Sequence, residues 1–280
     1  MIRGLLILTV VLSACSSKME HATTASEKEP ISWLTAEKVK LSNPLFNADS
    51  ILFTNQAIVE FDLGLEDVQL MYQMGSSPKE NEFEETAFEL YTQKLLINQT
   101  VEIKLFASKD SFQNSDTLSY QLIKMNPDVL VSSVSIEPSA AKQYAAAGPN
   151  SLFNKQKGRT NFKEDSKWMG FQSDTIKIKI DFDETYALEK IYCSLLSDHA
   201  SWIFLPEKIE IWSSGKKIGE KSNDSPLSAE KSELVFEQVD VYRNQYKALE
   251  ILIINGQTIP DWHPGKGTTP WLFIDEIIFE

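Results

Sequence analysis

The sequence predicts an all-β protein in which a small β-sandwich is followed by a larger jelly-roll β-sandwich. Short runs rich in β-branched and aromatic residues recur along the chain, and many alternate apolar and polar residues. Turn-forming stretches such as "GSSPKENE" and "SKDSFQNSD" separate these runs. The one stretch typical of a helix is "SAAKQYAAAG", which is short. With 42% hydrophobic and 24% charged residues, the 280 residues suffice for one large domain or two modest ones.

The first residues are typical of a bacterial lipoprotein signal. Arg3 precedes an apolar run, Leu5 to Leu12, that is too short to span a bilayer as a helix. The run ends in "LSAC", which resembles a lipobox, where cleavage leaves a lipidated cysteine first. Palmitate and other acyl chains on Cys15 would anchor the protein stably, since anchoring needs more than one chain. Ser16 follows the cysteine at a position where lipoproteins retained in an inner membrane often carry aspartate, so the cell outer membrane is the expected location. The alternative to a lipoprotein signal is a plain secretory signal with a coincidental cysteine.

The chain is expected to divide into four segments. Residues 1–14 are predicted to be the signal peptide, and the polar residues 15–34 a flexible tether. Residues 35–126 hold the strand-like runs "AIVEFDL", "VQLMYQM", "VEIKLFAS" and "LSYQLIKM" of the small sandwich. Residues 127–280 hold seven more, "VSSVSIE", "TIKIKIDF", "LEKIYCSLL", "KIEIWSS", "ELVFEQV", "ALEILIIN" and "LFIDEIIF". This second unit is expected to be an eight-strand jelly roll.

Charge and cysteine content narrow the functions. The net charge of −13 argues against nucleic acid and against anionic membrane surfaces as partners, because both need basic stripes. Neutral ligands such as uncharged sugars are not disfavoured. Cys193 is the sole cysteine after Cys15 and lies in an apolar run, so it is expected to be a buried structural thiol rather than a nucleophile.

Three separated blocks carry a resemblance to a known domain. They are "LFNKQKGRTNFKEDSKWMGF", "SWIFLPEKIEIWSS" and "IPDWHPGKGTTPWLFIDEI". In order and wording they are similar to the C-terminal discoidin-like domain (galactose-binding-like, coagulation-factor type C) of bacterial family-20 β-hexosaminidases. The residues before them weakly resemble the small immunoglobulin-like module of the same enzymes, through "YQMGSSP" and "QTVEIKLFA". The resemblance implies an immunoglobulin-like β-sandwich followed by a discoidin-like jelly roll.

The catalytic part of those enzymes has no counterpart in the sequence. A family-20 catalytic barrel needs several hundred residues and an Asp-Glu pair, and nothing of that size fits between Cys15 and Val129. Asp275 and Glu276 are adjacent acids on a predicted strand, where successive side chains point to opposite faces and would not converge on a substrate. We therefore expect a protein that is not an enzyme.

The resemblance implies a sugar site in the loops at one end of the jelly roll. Aromatic rings there would stack on a pyranose while polar groups bind its hydroxyls. The expected residues are Trp262, His263, Asp261, Trp168, Phe171, Arg159 and Asn161. The alternative is that the tryptophans only plug the sandwich end, an interpretation favoured for Trp202 and Trp271, whereas Trp262 and Trp168 are open to either.

The resemblance also implies a structural calcium ion. Many discoidin-like modules hold calcium through an early loop and a late glutamate, an oxygen environment that this ion prefers. The matching positions are Asn154, Thr160 and Glu276, although Lys155 and Lys157 flank the first of them. Zinc is disfavoured, since His199 and His263 lack the spacing of a zinc site.

Three functions remain open. The first is a non-catalytic surface lipoprotein that binds hexosamine- or galactose-type glycans. The second is a structural or adaptor lipoprotein that binds a surface protein. The third is an accessory subunit of a separately encoded glycoside hydrolase.

Overall fold

The protein is described here from a computed structural model that covers residues 39–75, 87–223, 232–256 and 258–280. The predicted signal peptide, the tether and Cys15 lie outside the described residues. Strands in the first half are β1 (Leu45–Ala48), β2 (Leu52–Phe53), β3 (Ala57–Asp62), β4 (Gln69–Gly75), β5 (Glu89–Leu90), β6 (Leu95–Ile97), β7 (Val101–Ser108) and β8 (Leu118–Lys124). The second half contains β9 (Val131–Glu137), β10 (Met169–Phe171), β11 (Thr175–Ser197), β12 (Lys208–Ser213), β13 (Lys216–Ser222), β14 (Glu233–Ile254) and β15 (Leu272–Phe279).

Helical structure in the described residues is confined to short 3₁₀ turns. They span Lys142–Tyr144, Pro149–Phe153, Phe162–Glu164 and His199–Ser201. The stretch "SAAKQYAAAG" forms only the first of these turns rather than the predicted longer helix, because it is too short to pay for helix nucleation on its own. The predicted all-β class is confirmed.

The first unit is a sandwich of two sheets. One sheet has the order β1-β3-β6 and the other β2-β8-β7-β4-β5. Inward and outward residues alternate along β3 and β7, as period-two patterning requires. The inward side chains, among them Val59, Ile103 and Leu105, make one apolar core between the sheets.

The second unit is built around two long strands. The order is β10-β15-β11-β14-β12-β13, with β9 also on β11. The first part of β11 pairs with β9 and the last part with β15, so one strand serves both layers of the sandwich. Register shifts between Asp181 and Tyr186 and between Leu188 and Lys190 allow the strand to bend from one layer to the other.

These long strands differ from the prediction of separate strands. "TIKIKIDF" and "LEKIYCSLL" are both in β11, and "ELVFEQV" and "ALEILIIN" are both in β14. Backbone pairing continues through the bulges, which the sequence does not mark with glycine or proline. The predicted inward face is confirmed, because Ile176, Ile178, Ile180 and Phe182 all lie in the core.

The two sandwiches belong to one compact unit, residues 39–280. A separate apolar cluster that includes Leu52, Met125, Tyr192 and Phe236 joins them. The Glu280 carboxylate accepts hydrogen bonds from Tyr192 Oη at 2.9 Å and Thr100 Oγ1 at 3.0 Å, linking the second sandwich to the first. None of the helical segments in the described residues has the length and apolar character needed to cross a bilayer.

Candidate functional site

Two tryptophans are displayed on neighbouring loops of the jelly roll. Trp262 is 58% exposed and Trp202 is 39% exposed. Trp202 follows the 3₁₀ turn His199–Ser201, and Trp262 lies in the loop between β14 and β15. The His263 ring connects them, at 5.5 Å from Trp262 and 6.3 Å from Trp202 between ring centroids. We call the loop surface formed by these two indoles, with the neighbouring exposed Asp261, the indole platform.

The Trp202 loop is fixed by backbone hydrogen bonds. Trp202 closes the 3₁₀ turn with a φ of 64°, and its N–H donates to His199 O at 2.8 Å. Trp271 N–H donates to Trp202 O at 2.8 Å, and Phe204 N–H donates to Trp271 O at 3.0 Å. A left-handed conformation at a non-glycine residue costs free energy and persists only where the surroundings enforce it. The loop is thus held in one conformation by the start of β15.

His263 holds the second loop in place. Its ring is buried, Nε2 lies 2.8 Å from His199 O, and Nδ1 accepts from Gly265 N–H at 3.0 Å. The two bonds together require the neutral tautomer with the proton on Nε2. Both nitrogens are therefore satisfied within the protein. The prediction that His263 binds the ligand is corrected, because the buried ring positions the loop instead.

Trp202 packs on the backbone of that same loop. A Cβ atom on Gly265 would lie 2.9 Å from Trp202 Cε2, so the indole fits there only because residue 265 is a glycine. This contact explains how Trp202 is both packed and partly exposed. The interpretation of Trp202 as only a packing residue did not account for its exposed part. The sequence signal for its position was Gly265, three residues after Trp262, because only a glycine leaves room for an indole against this loop.

His199 lies beneath the platform. Its ring stacks on Phe204 at 4.4 Å and is 5.7 Å from the Trp262 ring. The side chain is buried, and its Nδ1 is without a hydrogen-bond partner within the described residues. Burial, and then the proximity of His263, lower the pKa of His199. The ring is therefore neutral at physiological pH and gives Trp262 an aromatic support.

Trp168 and Phe171 do not line the platform. Each is 1% exposed, and the prediction that they stack on a ligand is corrected. Trp168 Nε1 donates to Arg159 O at 2.9 Å, and its ring lies 6.3 Å from that of Phe273. Phe171 belongs to β10 and packs in the main core. Large aromatic rings gain more from burial than from display, and the local sequence did not distinguish the two outcomes.

Arg159 and Asn161 are exposed on the loop before β10. Arg159 N–H donates to Asp165 Oδ2 at 2.8 Å, and Asn161 Nδ2 donates to Glu164 Oε2 at 2.9 Å. These hydrogen bonds stay within the loop. Among the described contacts, none joins either side chain to the indole platform, so their expected part in sugar binding stays a prediction.

The positions matched to a calcium site do not fit the ion. Gln156 N–H donates both to Asn154 Oδ1 at 2.8 Å and to Glu276 Oε1 at 2.7 Å. The two oxygens thus converge on a hydrogen-bond donor, whereas calcium needs a shell of oxygens facing inward. Thr160 O accepts a hydrogen bond from Phe162 N–H at 2.9 Å. No cluster of three or more His, Cys, Asp or Glu side chains suited to a metal occurs in the described residues.

Asp275 and Glu276 do converge, contrary to the expectation for a regular strand. Ser194 pairs with Glu276 and Leu195 with Ile274, so Asp275 is the extra residue of a β-bulge. The bulge interrupts alternation, and both carboxylates meet the loop of residues 156–158. Burial, together with the charge of Asp275, raises the pKa of Glu276 to about 8. Burial lowers the pKa of Lys157 although Asp275 opposes the change.

Cys193 is buried, as predicted. Burial raises the pKa of its thiol to about 12, so the reactive thiolate is scarce at neutral pH.

The comparisons with known proteins give structural neighbours only. No family model matches the sequence, and no curated protein matches it. Solved structures that match include GH31 CBM32-2 bound to GalNAc (16% identity, 52% of this chain and 96% of that chain, TM-score 0.32). A pectin-binding carbohydrate-binding module matches at 11% identity over 54% of this chain and 91% of its own, with a TM-score of 0.31. A SusE-like protein matches at 11% identity over 84% of this chain and 95% of its own, with a TM-score of 0.36.

Two of these three neighbours are carbohydrate-binding modules. Their identity and TM-scores are too low to decide the family or the function of this chain. The indole platform, rather than this likeness, is the feature from which a function can be inferred.

Proposed function

We propose that the protein is a non-catalytic carbohydrate-binding protein and that the indole platform is its binding surface. The observation that carries the proposal is the exposure of Trp262 and Trp202 on two loops that are fixed by internal hydrogen bonds. An exposed indole lacks the stabilisation that burial would give it, and protein surfaces that display such aromatic rings commonly bind a partner. A ring of Trp262 that is already supported by His199 and Phe204 loses little entropy on stacking against a flat ligand face.

The ligand class follows from the chemistry of the platform. The apolar face of a pyranose matches an indole, and Asp261 next to Trp262 offers an exposed carboxylate that accepts hydrogen bonds from sugar hydroxyls. The net charge of −13 disfavours polyanionic glycans. Neutral sugars are therefore the proposed ligands, and the hexosamine- or galactose-type preference is supported by the sequence resemblance.

The proposal is tested by titrating a panel of neutral mono- and oligosaccharides and following tryptophan fluorescence and calorimetric heats. Trp262→Ala is expected to weaken binding by roughly two- to thirteenfold, because one stacking contact contributes about 0.5–1.5 kcal/mol. The melting temperature should change little, since the ring is mostly exposed. The matched control is Tyr242→Ala, which removes an aromatic ring that is 75% exposed on β14 outside the two loops. Equal affinity of Trp262→Ala and wild type would reject the platform.

We further propose that Cys15 carries the lipid that holds the protein at the outer membrane. The support is the "LSAC" sequence after a short apolar run. A Cys15→Ala variant is expected to leave the membrane fraction on cell fractionation, while the wild type stays with it and gains the mass of its acyl chains. Retention of the variant in the membrane fraction would contradict this assignment.

A further inference from the structure

Two adjacent acidic side chains lie in the interior at the bulge of β15. Asp275 is fully buried, and Glu276 is 2% exposed. Carboxylates removed from water lose hydration, and neighbouring ones also repel each other. The fold therefore has to supply a cation or N–H donors at this point.

One short loop supplies both. Lys157 Nζ lies 2.8 Å and 3.0 Å from the two carboxylate oxygens of Asp275, and Gly158 N–H donates to the same group. Gln156 N–H donates to Glu276 at 2.7 Å. Three consecutive residues thus serve the two acids, which attaches the loop of residues 154–158 to β15.

The ammonium of Lys157 is enclosed by aromatic rings. Its Nζ lies 4.9 Å from the Trp168 ring centroid and 5.4 Å from that of Phe236. The side chain is 12% exposed. Indole faces attract cations, so the Trp168 ring offsets part of the hydration that the ammonium loses on burial.

We propose that Lys157 is a built-in structural cation, which fixes this loop to β15 and makes the fold independent of divalent metal. Asn154 in this loop and Glu276 are two of the three positions where the sequence resemblance implied calcium, and the ammonium provides the positive charge that such an ion would bring. Removing the ammonium leaves the buried Asp275 carboxylate without its cation beside Glu276, a site that a divalent or trivalent ion would then enter.

The wild-type protein provides the first test. Its melting temperature is expected to be the same in millimolar CaCl₂ and in EDTA. Stabilisation by about 5 °C, the shift that a ligand at a hundredfold excess over its dissociation constant gives a unit of this size, would overturn the proposal.

Lys157→Met provides the second test, because methionine keeps the apolar stem and removes the charge. The variant is expected to melt lower than wild type and to regain several degrees in CaCl₂. Terbium, which takes the same oxygen ligands as calcium, should show emission sensitised by Trp168. Lys163→Met, which removes a lysine near Phe162, is the matched control and should show neither effect.

The double variant Lys157→Met with Asp275→Asn distinguishes loss of the cation from a general failure of Lys157→Met to fold. Removing both charges avoids leaving one unpaired, so this protein is expected to fold and to lose the calcium response. A folded Lys157→Met protein that ignores calcium and terbium would overturn the proposal. So would a Lys157→Met protein that stays unfolded in calcium while the double variant folds.

Discussion

Gly158→Ala is the substitution for which the structure gives the sharpest expectation. A Cβ atom at residue 158 would lie 2.5 Å from Cε2, 2.6 Å from Nε1 and 2.9 Å from Cζ2 of Trp168. Carbon atoms in contact normally lie about 3.5–4.0 Å apart, so roughly 1 Å of space is missing. Gly158 does not have a positive φ, and alanine is therefore opposed by contact alone.

The indole has little freedom to move away. Trp168 is 1% exposed, its Nε1 is bonded to Arg159 O, and Lys157 lies over its ring. Overpacking of this kind costs about 1–3 kcal/mol. With a urea m-value of about 3 kcal/mol/M for a unit of this size, the unfolding midpoint should fall by about 0.3–1 M.

The measurement is urea unfolding followed by tryptophan fluorescence. Gly75→Ala is the matched control, because a Cβ atom there meets none of the described residues within 4 Å, and its midpoint should stay near that of wild type. In a Trp168→Leu background the alanine should cost less than half as much, since the smaller side chain leaves room. A wild-type midpoint for Gly158→Ala, or an equal loss in both backgrounds, would refute the steric argument.

Three further predictions concern other parts of the protein. The pKa of His199 is lowered in the folded protein, so the unfolded chain binds the proton more readily and stability should fall as the pH drops below about 6.5. The melting temperature of His199→Gln should lack this part of the pH dependence. An identical slope of melting temperature against pH in variant and wild type would contradict the prediction. Tyr192→Phe removes the hydroxyl that donates to Glu280 and should lower the free energy of unfolding in urea by about 0.5–1.5 kcal/mol. An unchanged free energy would show that this hydrogen bond does not stabilise the contact between the two sandwiches. In a Cys15→Ala background, Cys193 should react with a thiol reagent only after unfolding, and rapid labelling of the native protein would disprove its burial.

The fold class was accessible from the sequence because it depends on local patterns. Alternation along "TIKIKIDF" predicted a strand with one buried face, and the core contains the isoleucines that it assigned there. The glycines and prolines before Trp271 predicted a loop, and β15 begins at Leu272. Bulges were not accessible, because they depend on which partner strand each residue meets. For this reason the sequence predicted neither the two long strands nor the convergence of Asp275 and Glu276 on the loop of residues 156–158.

In the candidate site, too, local features were predictable from the sequence and long-range contacts were not. The sequence by itself determined an acidic all-β protein, placed Trp262 in an irregular loop and marked the lysines around Asn154. Only the tertiary structure decided that Trp262 and Trp202 are displayed together, that Trp168 is buried and that His263 is used internally. Exposure and hydrogen-bond partners depend on residues far apart in the chain, such as Lys157 and Asp275. Packing of the whole fold brings such residues together, and a local sequence pattern does not specify it.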